Sequence, residues 1–304
     1  MKKNRVLVLA LMIFGFYTII AQTSNMITTS FGSIHYKTFG KGEPLLIING
    51  GPGIDSEGFS SLATLFKDKY MAIIYDQRGT GKSNLKTIDS TTLSMDLLID
   101  DIEILRNHLN IKKWVVLGHS FGGFVAQHYA SKHSDRIKGM ILSASGGIDL
   151  EIFSYMSANI HIRMSDMDRD SLRYWSKKIN EGDTTYLAKY KVGKLRAPTY
   201  LYGNEYIEQI AHRLTQSNPE IRNLMLSDLS KNNYDWSSPM SKFNSPVLII
   251  QGRQDLVGSE TAFKAHNVYK TSKLVLLNEC GHYGWLEQEE KYTAEINSFI
   301  ENLH

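Results

Sequence analysis

Short apolar runs punctuate the chain at Pro44–Ile48, Tyr70–Tyr75, Trp114–Leu117, Gly139–Leu142, Pro246–Ile250 and Lys273–Leu277. Each is rich in Leu, Ile or Val and stops at a glycine or a polar residue. That pattern predicts strands buried on both faces. Residues 31–40, FGSIHYKTFG, alternate apolar and polar and predict an outer strand. Between the runs the period lengthens to that of a helix. Leu93, Leu97, Leu98, Ile102, Leu105 and Leu109 mark one over Thr91–Leu109, with Asp96, Asp100, Asp101 and Glu103 as its solvated face. Phe59–Asp68, 121–130, Ser259–Tyr269 and Gln288–Leu303 read the same way. Strands alternating with helices imply a mostly parallel sheet covered on both faces.

The alternation breaks between Gly146 and Asn244. Polar helical segments dominate there, and aromatics are frequent, from Phe153 and Tyr155 to Tyr234 and Trp236. This stretch reads as a helical cap inserted into the sheet domain. The expected organisation is therefore a core over 22–145, a cap over 146–243 and a second core part over 244–304. Aromatics in the cap suit a mostly apolar pocket, or simply the cap's own core.

The chemistry concentrates where strands end. Gly118-His119-Ser120-Phe121-Gly122 fits G-x-S-x-G, with a strand pattern before it and a helix pattern after. A serine on so sharp a turn tolerates little bulk around it, and the following helix aims its amide dipoles at the serine. A bare Gly-rich turn with an idle serine is the alternative, and the flanking elements argue against it. A serine is a weak nucleophile alone and needs a base and an orienting acid. Asp255 and His282 each follow a predicted strand, as Ser120 does, and open parallel sheets bind ligands at that edge. The order Ser120, Asp255, His282 is that of a nucleophile-elbow hydrolase. His282 would take the serine proton and Asp255 would fix its tautomer. Since the base must be neutral, activity should fall as pH drops into the histidine range. His119 should pack beneath the turn. His35, His108, His128, His133, His161, His212, His266 and His304 have no acid in a strand-end turn and read as surface or core. Asn49-Gly50-Gly51-Pro52-Gly53 follows a buried strand, so the Gly51 amide could complete an oxyanion hole with that of Phe121. Asp76-Gln77-Arg78-Gly79-Thr80-Gly81-Lys82-Ser83 lacks the spacing of a phosphate loop. An Asp–Arg pair bracing a glycine turn accounts for it better.

Charge changes the picture only at the start. Lys2, Lys3 and Arg5 precede the apolar run Val6–Ala21, which predicts an export signal over 1–21 cut before Gln22. The run is shorter than the ~20 residues of a spanning helix, which weighs against an uncleaved anchor, and no stable membrane insertion is expected after removal. The chain carries 34 bases and 31 acids. Losing three bases with the signal leaves it neutral, with no basic excess to suggest nucleic acid. Cys280 is the single cysteine, so no internal disulfide forms. No His or Cys cluster has metal-ligand spacing, and no cofactor is expected.

These residues resemble the α/β-hydrolase superfamily and, within it, the prolyl iminopeptidase family of serine peptidases. The likeness rests on Gly50-Gly51-Pro52-Gly53, Asp76-Gln77-Arg78-Gly79 with Gly81 and Ser83, Gly118–Gly122, Gly252-Arg253-Gln254-Asp255 and Gly281-His282. It implies an α/β-hydrolase fold and release of an N-terminal, often proline, residue from a short peptide or arylamide. It also implies a cap carboxylate to meet the substrate's amino group. Glu181 is present in the cap, and Glu205 and Glu208, three apart and so on one face of a helix, are the candidates. A carboxylesterase on the same triad is the alternative enzyme. A silent binding protein would have no need of all three triad residues.

Overall fold

The computed structural model describes residues 22–303. The expected signal over 1–21 lies outside the described residues. Eight strands form one sheet: β1 Thr23–Thr28, β2 Ser33–Phe39, β3 Glu43–Ile48, β4 Tyr70–Tyr75, β5 Trp114–His119, β6 Ile137–Ser143, β7 Val247–Gly252 and β8 Ser272–Leu277. Their spatial order is β1-β2-β4-β3-β5-β6-β7-β8. The β1–β2 and β2–β4 pairs are antiparallel and every later pair is parallel.

The two-residue period of a strand sends alternate side chains to opposite faces. Leu46, Ile48, Trp114 and Val116 enter one core, and Leu45, Ile47, Val115 and Leu117 enter the other. Both sets are apolar because helices cover both faces. The first core is closed by the helices Met95–His108, Phe121–His133 and Ser259–Val268, the second by Ser60–Phe66 and Glu289–Glu301. From β3 the chain turns to β4 on one side and later to β5 on the other. This reversal opens a crevice at the C-terminal strand ends, and there the site forms.

Three sequence expectations need correction. The outer strand is β1; the alternating stretch is β2, one place inside it. Asp101 is buried and makes a bidentate pair with Arg78, 2.8 Å at Nε and 2.5 Å at Nη2. It is not part of a solvated face. Asp76 therefore does not pair with Arg78. Its carboxylate accepts from the Ser56 amide and hydroxyl, the Lys82 amide and the His35 ring.

Six helices lie between β6 and β7: Ile152–Arg163, Asp166–Asn180, Tyr186–Tyr200, Ile207–Leu214, Pro219–Asn232 and Ser237–Met240. Their ends carry clear signals. Ser165, Thr185 and Asn218 cap the second, third and fifth through side-chain oxygens. The group is tied to the strand ends by backbone bonds, from the Asn218 amide to the Gly53 carbonyl and from the His282 amide to the Tyr200 carbonyl. No helix of the described residues is long and apolar enough to cross a membrane.

Candidate active site

Ser120 sits where β5 turns into Phe121–His133, at φ 54° and ψ −121°. A non-glycine residue in that region is strained and is held by its surroundings. The amide of Ser120 donates to Ser143 on β6, and its carbonyl accepts from the Gly123 and Gly146 amides. Two glycines make room for the turn. A Cβ on Gly122 would stand 2.1 Å from the Ile48 carbonyl oxygen, and one on Gly50 would stand 2.5 Å from the Ser120 Cβ. The Ser120 turn and the loop after β3 are thus packed closely together.

Asp255 and His282 are each 2% exposed. His282 Nδ1 lies 2.9 Å from Asp255 Oδ1 and 3.0 Å from Oδ2. Gln251 donates to Oδ2 at 2.8 Å and the Val257 amide to Oδ1 at 3.1 Å. A carboxylate only accepts, so Nδ1 carries the proton and Nε2 of the neutral ring is the acceptor. His282 and Ser120 line one cavity of about 590 Å³. Gly51 and Phe121 line it too. Neither of their amides donates to a protein acceptor among the described residues.

His119 packs beneath the turn, its ring against His282 and Trp285 at 4.6 and 5.0 Å between centroids. Its Nε2 donates to the His282 carbonyl at 2.9 Å. Burial, and then the nearby His282, hold it well below the ordinary histidine range. It stays neutral and packs against His282 from behind. Burial likewise pushes the Cys280 thiol up, so it stays protonated and inert.

One arrangement escaped the sequence reading. His35 does meet an acid in a strand-end turn: Nδ1 is 2.9 Å from Asp76 and Nε2 is 2.8 Å from Ser24 Oγ. This second Ser–His–Asp chain runs from β1 through β2 to the residue that follows β4. Ser24 lies within β1, not on a strand-to-helix turn as Ser120 does.

The carboxylates expected in the cap are elsewhere. Glu208 is exposed and engages Lys194 and Tyr190, and Glu205 lies in the turn before Ile207–Leu214, not on a helix. Neither lines the cavity. Most of the cap aromatics are absent from it too. Tyr174, Tyr186 and Tyr202 are exposed, and Trp236 packs on Phe124 and His128. Phe153 and Tyr200 are the two aromatics that do line it from these helices. Two supports were missed. Arg213 is buried, donates to the Gly50 carbonyl at 3.1 Å and lies 4.6 Å over the Phe59 ring. Gln77 of the D-Q-R-G stretch donates to the Asn49 carbonyl at 2.8 Å.

The model of the alpha/beta hydrolase fold family matches residues 43–288. The chain belongs to the α/β-hydrolase family. It is 28% identical over 278 residues to a proline iminopeptidase of Lactobacillus helveticus, covering 85% of this chain and 90% of that protein. Among solved structures, a proline iminopeptidase from Mycobacterium smegmatis superposes with a TM-score of 0.72 at 16% identity, covering 92% of this chain and 98% of the other. A thermophilic esterase from Thermogutta terrifontis gives 0.71 at 22% identity, covering 93% and 99%. At such identities the structural likeness speaks for the fold. This α/β-hydrolase is thus similar both to proline iminopeptidases and, in fold, to an esterase.

Proposed function

We propose that this α/β-hydrolase cleaves small esters or amides through an acyl-enzyme on Ser120. The observation that carries the reading is the His282 ring held on both oxygens of Asp255 beside a strained serine turn in the same cavity. Nε2 of His282 accepts the Ser120 proton as Oγ attacks the acyl carbon. The oxyanion is met by the Gly51 and Phe121 amides, at the N-terminus of Phe121–His133. His282 then protonates the leaving group, and water attacks the acyl-enzyme by the same route. Each preorganised donor to such an oxyanion is worth about 10²–10³ in rate.

Two substrates fit this machinery. Release of an N-terminal, proline-like residue is supported by the curated relatives. Hydrolysis of esters or acylated amides is supported by the cavity, whose described lining contains no Asp or Glu to meet a free ammonium. We favour the second. The assay compares a free prolyl arylamide, its N-acetyl form and a short aryl ester. A strong preference for the free amine would overturn this choice in favour of the aminopeptidase. We also propose export with removal of 1–21. Mass spectrometry of the mature protein should find an N-terminus near Gln22, and a chain beginning at Met1 would refute it.

A further inference from the structure

The cavity is cationic. Lys189, Arg196, Arg213 and Arg222 line it, from three different helices between β6 and β7. Lys189, Val192, Arg196 and Tyr200 recur at three- and four-residue spacing along Tyr186–Tyr200, so one helix face presents a basic stripe to the cavity. Pro219, Arg222 and Leu226 share a face of Pro219–Asn232 that also lines the cavity and brings one more arginine. Arg213 is occupied by the Gly50 carbonyl and the Phe59 ring. Arg196 and Arg222 are not. Neither guanidinium makes a side-chain hydrogen bond or an ion pair among the described residues. Burial, and then repulsion from Arg196, hold Arg222 below its ordinary value. Like charges facing one half-buried space with no carboxylate between them are unfavourable unless a ligand supplies the counter-charge. The planar guanidinium fork suits a carboxylate. Arg196, Arg222 and Tyr200 line the same cavity as Ser120 and His282, and the Tyr200 ring lies 5.4 Å from that of His282. The unpaired charge is therefore close to the reacting centre.

We propose that Arg196 and Arg222 form an anion subsite that selects small esters or amides carrying a carboxylate remote from the scissile bond. The inference rests on the acyl-enzyme reading above and names its substrate class. The cavity's remaining wall, with Phe124, Ile152, Phe153 and Met156, takes the substrate's apolar part.

Two matched pairs test it. One carries the charge in the acyl chain, 4-nitrophenyl hydrogen glutarate against 4-nitrophenyl pentanoate. The other carries it on the leaving group, 3-acetoxybenzoate against 3-acetoxybenzamide. In at least one pair the anion should lead by about tenfold to a hundredfold in kcat/KM, the worth of charge-assisted hydrogen bonds. In Arg196→Gln/Arg222→Gln that ratio should fall toward one. A retained ratio overturns the assignment to these arginines. Should the double variant not fold, the wild-type enzyme still decides: glutarate should compete with the neutral ester where glutaramide does not. An uncharged fluorophosphonate separates the two readings. Labelling of Ser120 with no anion preference and no glutarate competition sinks the subsite alone. Absence of labelling sinks the acyl-enzyme, and calorimetric titration with glutarate then decides whether the arginines bind a carboxylate.

Discussion

Asp255→Asn exchanges a carboxylate oxygen for an amide and tests the relay directly. Three donors converge on Asp255: the Val257 amide at Oδ1, the Gln251 amide at Oδ2 and His282 Nδ1 between them. An asparagine keeps one oxygen and turns the other position into a donor. The Val257 backbone amide cannot turn away, so it claims the oxygen. The new NH₂ then faces Gln251. That side chain can flip at little cost, because its other contact, to the Gly252 carbonyl, is 3.5 Å long. The second N–H of the asparagine, at the Oδ2 position 3.0 Å from His282 Nδ1, then competes with the retained oxygen and favours the tautomer in which Nδ1 accepts. The ring proton moves to Nε2, where it can no longer take the serine proton. In Ser–His–Asp enzymes this tautomer error lowers kcat by about 10⁴, about 5 kcal/mol of barrier. The assay is kcat/KM on a neutral aryl ester, with thermal denaturation to check folding. A folded variant within tenfold of wild type would refute the role given to Asp255.

Other expectations follow from the same geometry. Fluorophosphonate labelling should be lost in Ser120→Ala and kept in Ser24→Ala; label on Ser24 would make the β1–β2 triad the active one. Arg213→Met removes the donor to the Gly50 carbonyl, so stability should fall by about 1–3 kcal/mol and kcat should drop with it; an unchanged melting curve would show the contact to be idle. Arg78→Gln leaves Asp101 buried without its partner and should cost about 3–5 kcal/mol, read by urea denaturation. Burial pushes the Asp76 carboxyl up, but the amides of Lys82 and Ser56, the Ser56 hydroxyl and His35 outweigh it and hold the carboxyl below its ordinary value. Its contribution to stability is present above the unfolded value of about 3.9 and is lost as pH falls through the lower folded one. Asp76→Asn should therefore flatten the acid limb of the stability curve below about pH 4, and an unaltered limb would contradict this.

The strands were legible because a parallel sheet covered on both sides needs uninterrupted apolar runs, and few other elements use them. β1 was not. Thr23–Thr28 is a polar edge strand with one buried residue, Ile27, and carries no periodic signal. Asp101 was misread although the signal was present. It stands three residues after Leu98 and four before Leu105, on the buried stripe of its helix. A charged residue in phase with an apolar face announces a buried partner, here Arg78. The positions of Ser120, Asp255 and His282 could be read because each follows a strand whose end the sequence marks.

The cap resisted for a different reason. Spacing gives which residues share a face, but not which way the face points. Glu205 and Glu208 were paired on the assumption of a helix that begins only at Ile207, so Glu205 falls in the turn, while Glu208 sits on the helix and faces Lys194 and Tyr190; neither lines the cavity. Nothing in the sequence marks Lys189, Arg196 and Arg222 as cavity residues until the docking of their helices is known. That docking is set by contacts far apart in sequence, such as Asn218 on Gly53 and Tyr200 on His282. Net charge could not reveal the result either. The chain beyond residue 21 carries equal numbers of acids and bases, yet the cavity lining holds four cations and no carboxylate. The sign of the charge a substrate meets is thus a property of helix phase. It can differ from that of a relative with the same strand-end residues, because the cap helices, not those residues, bring the cations to the cavity.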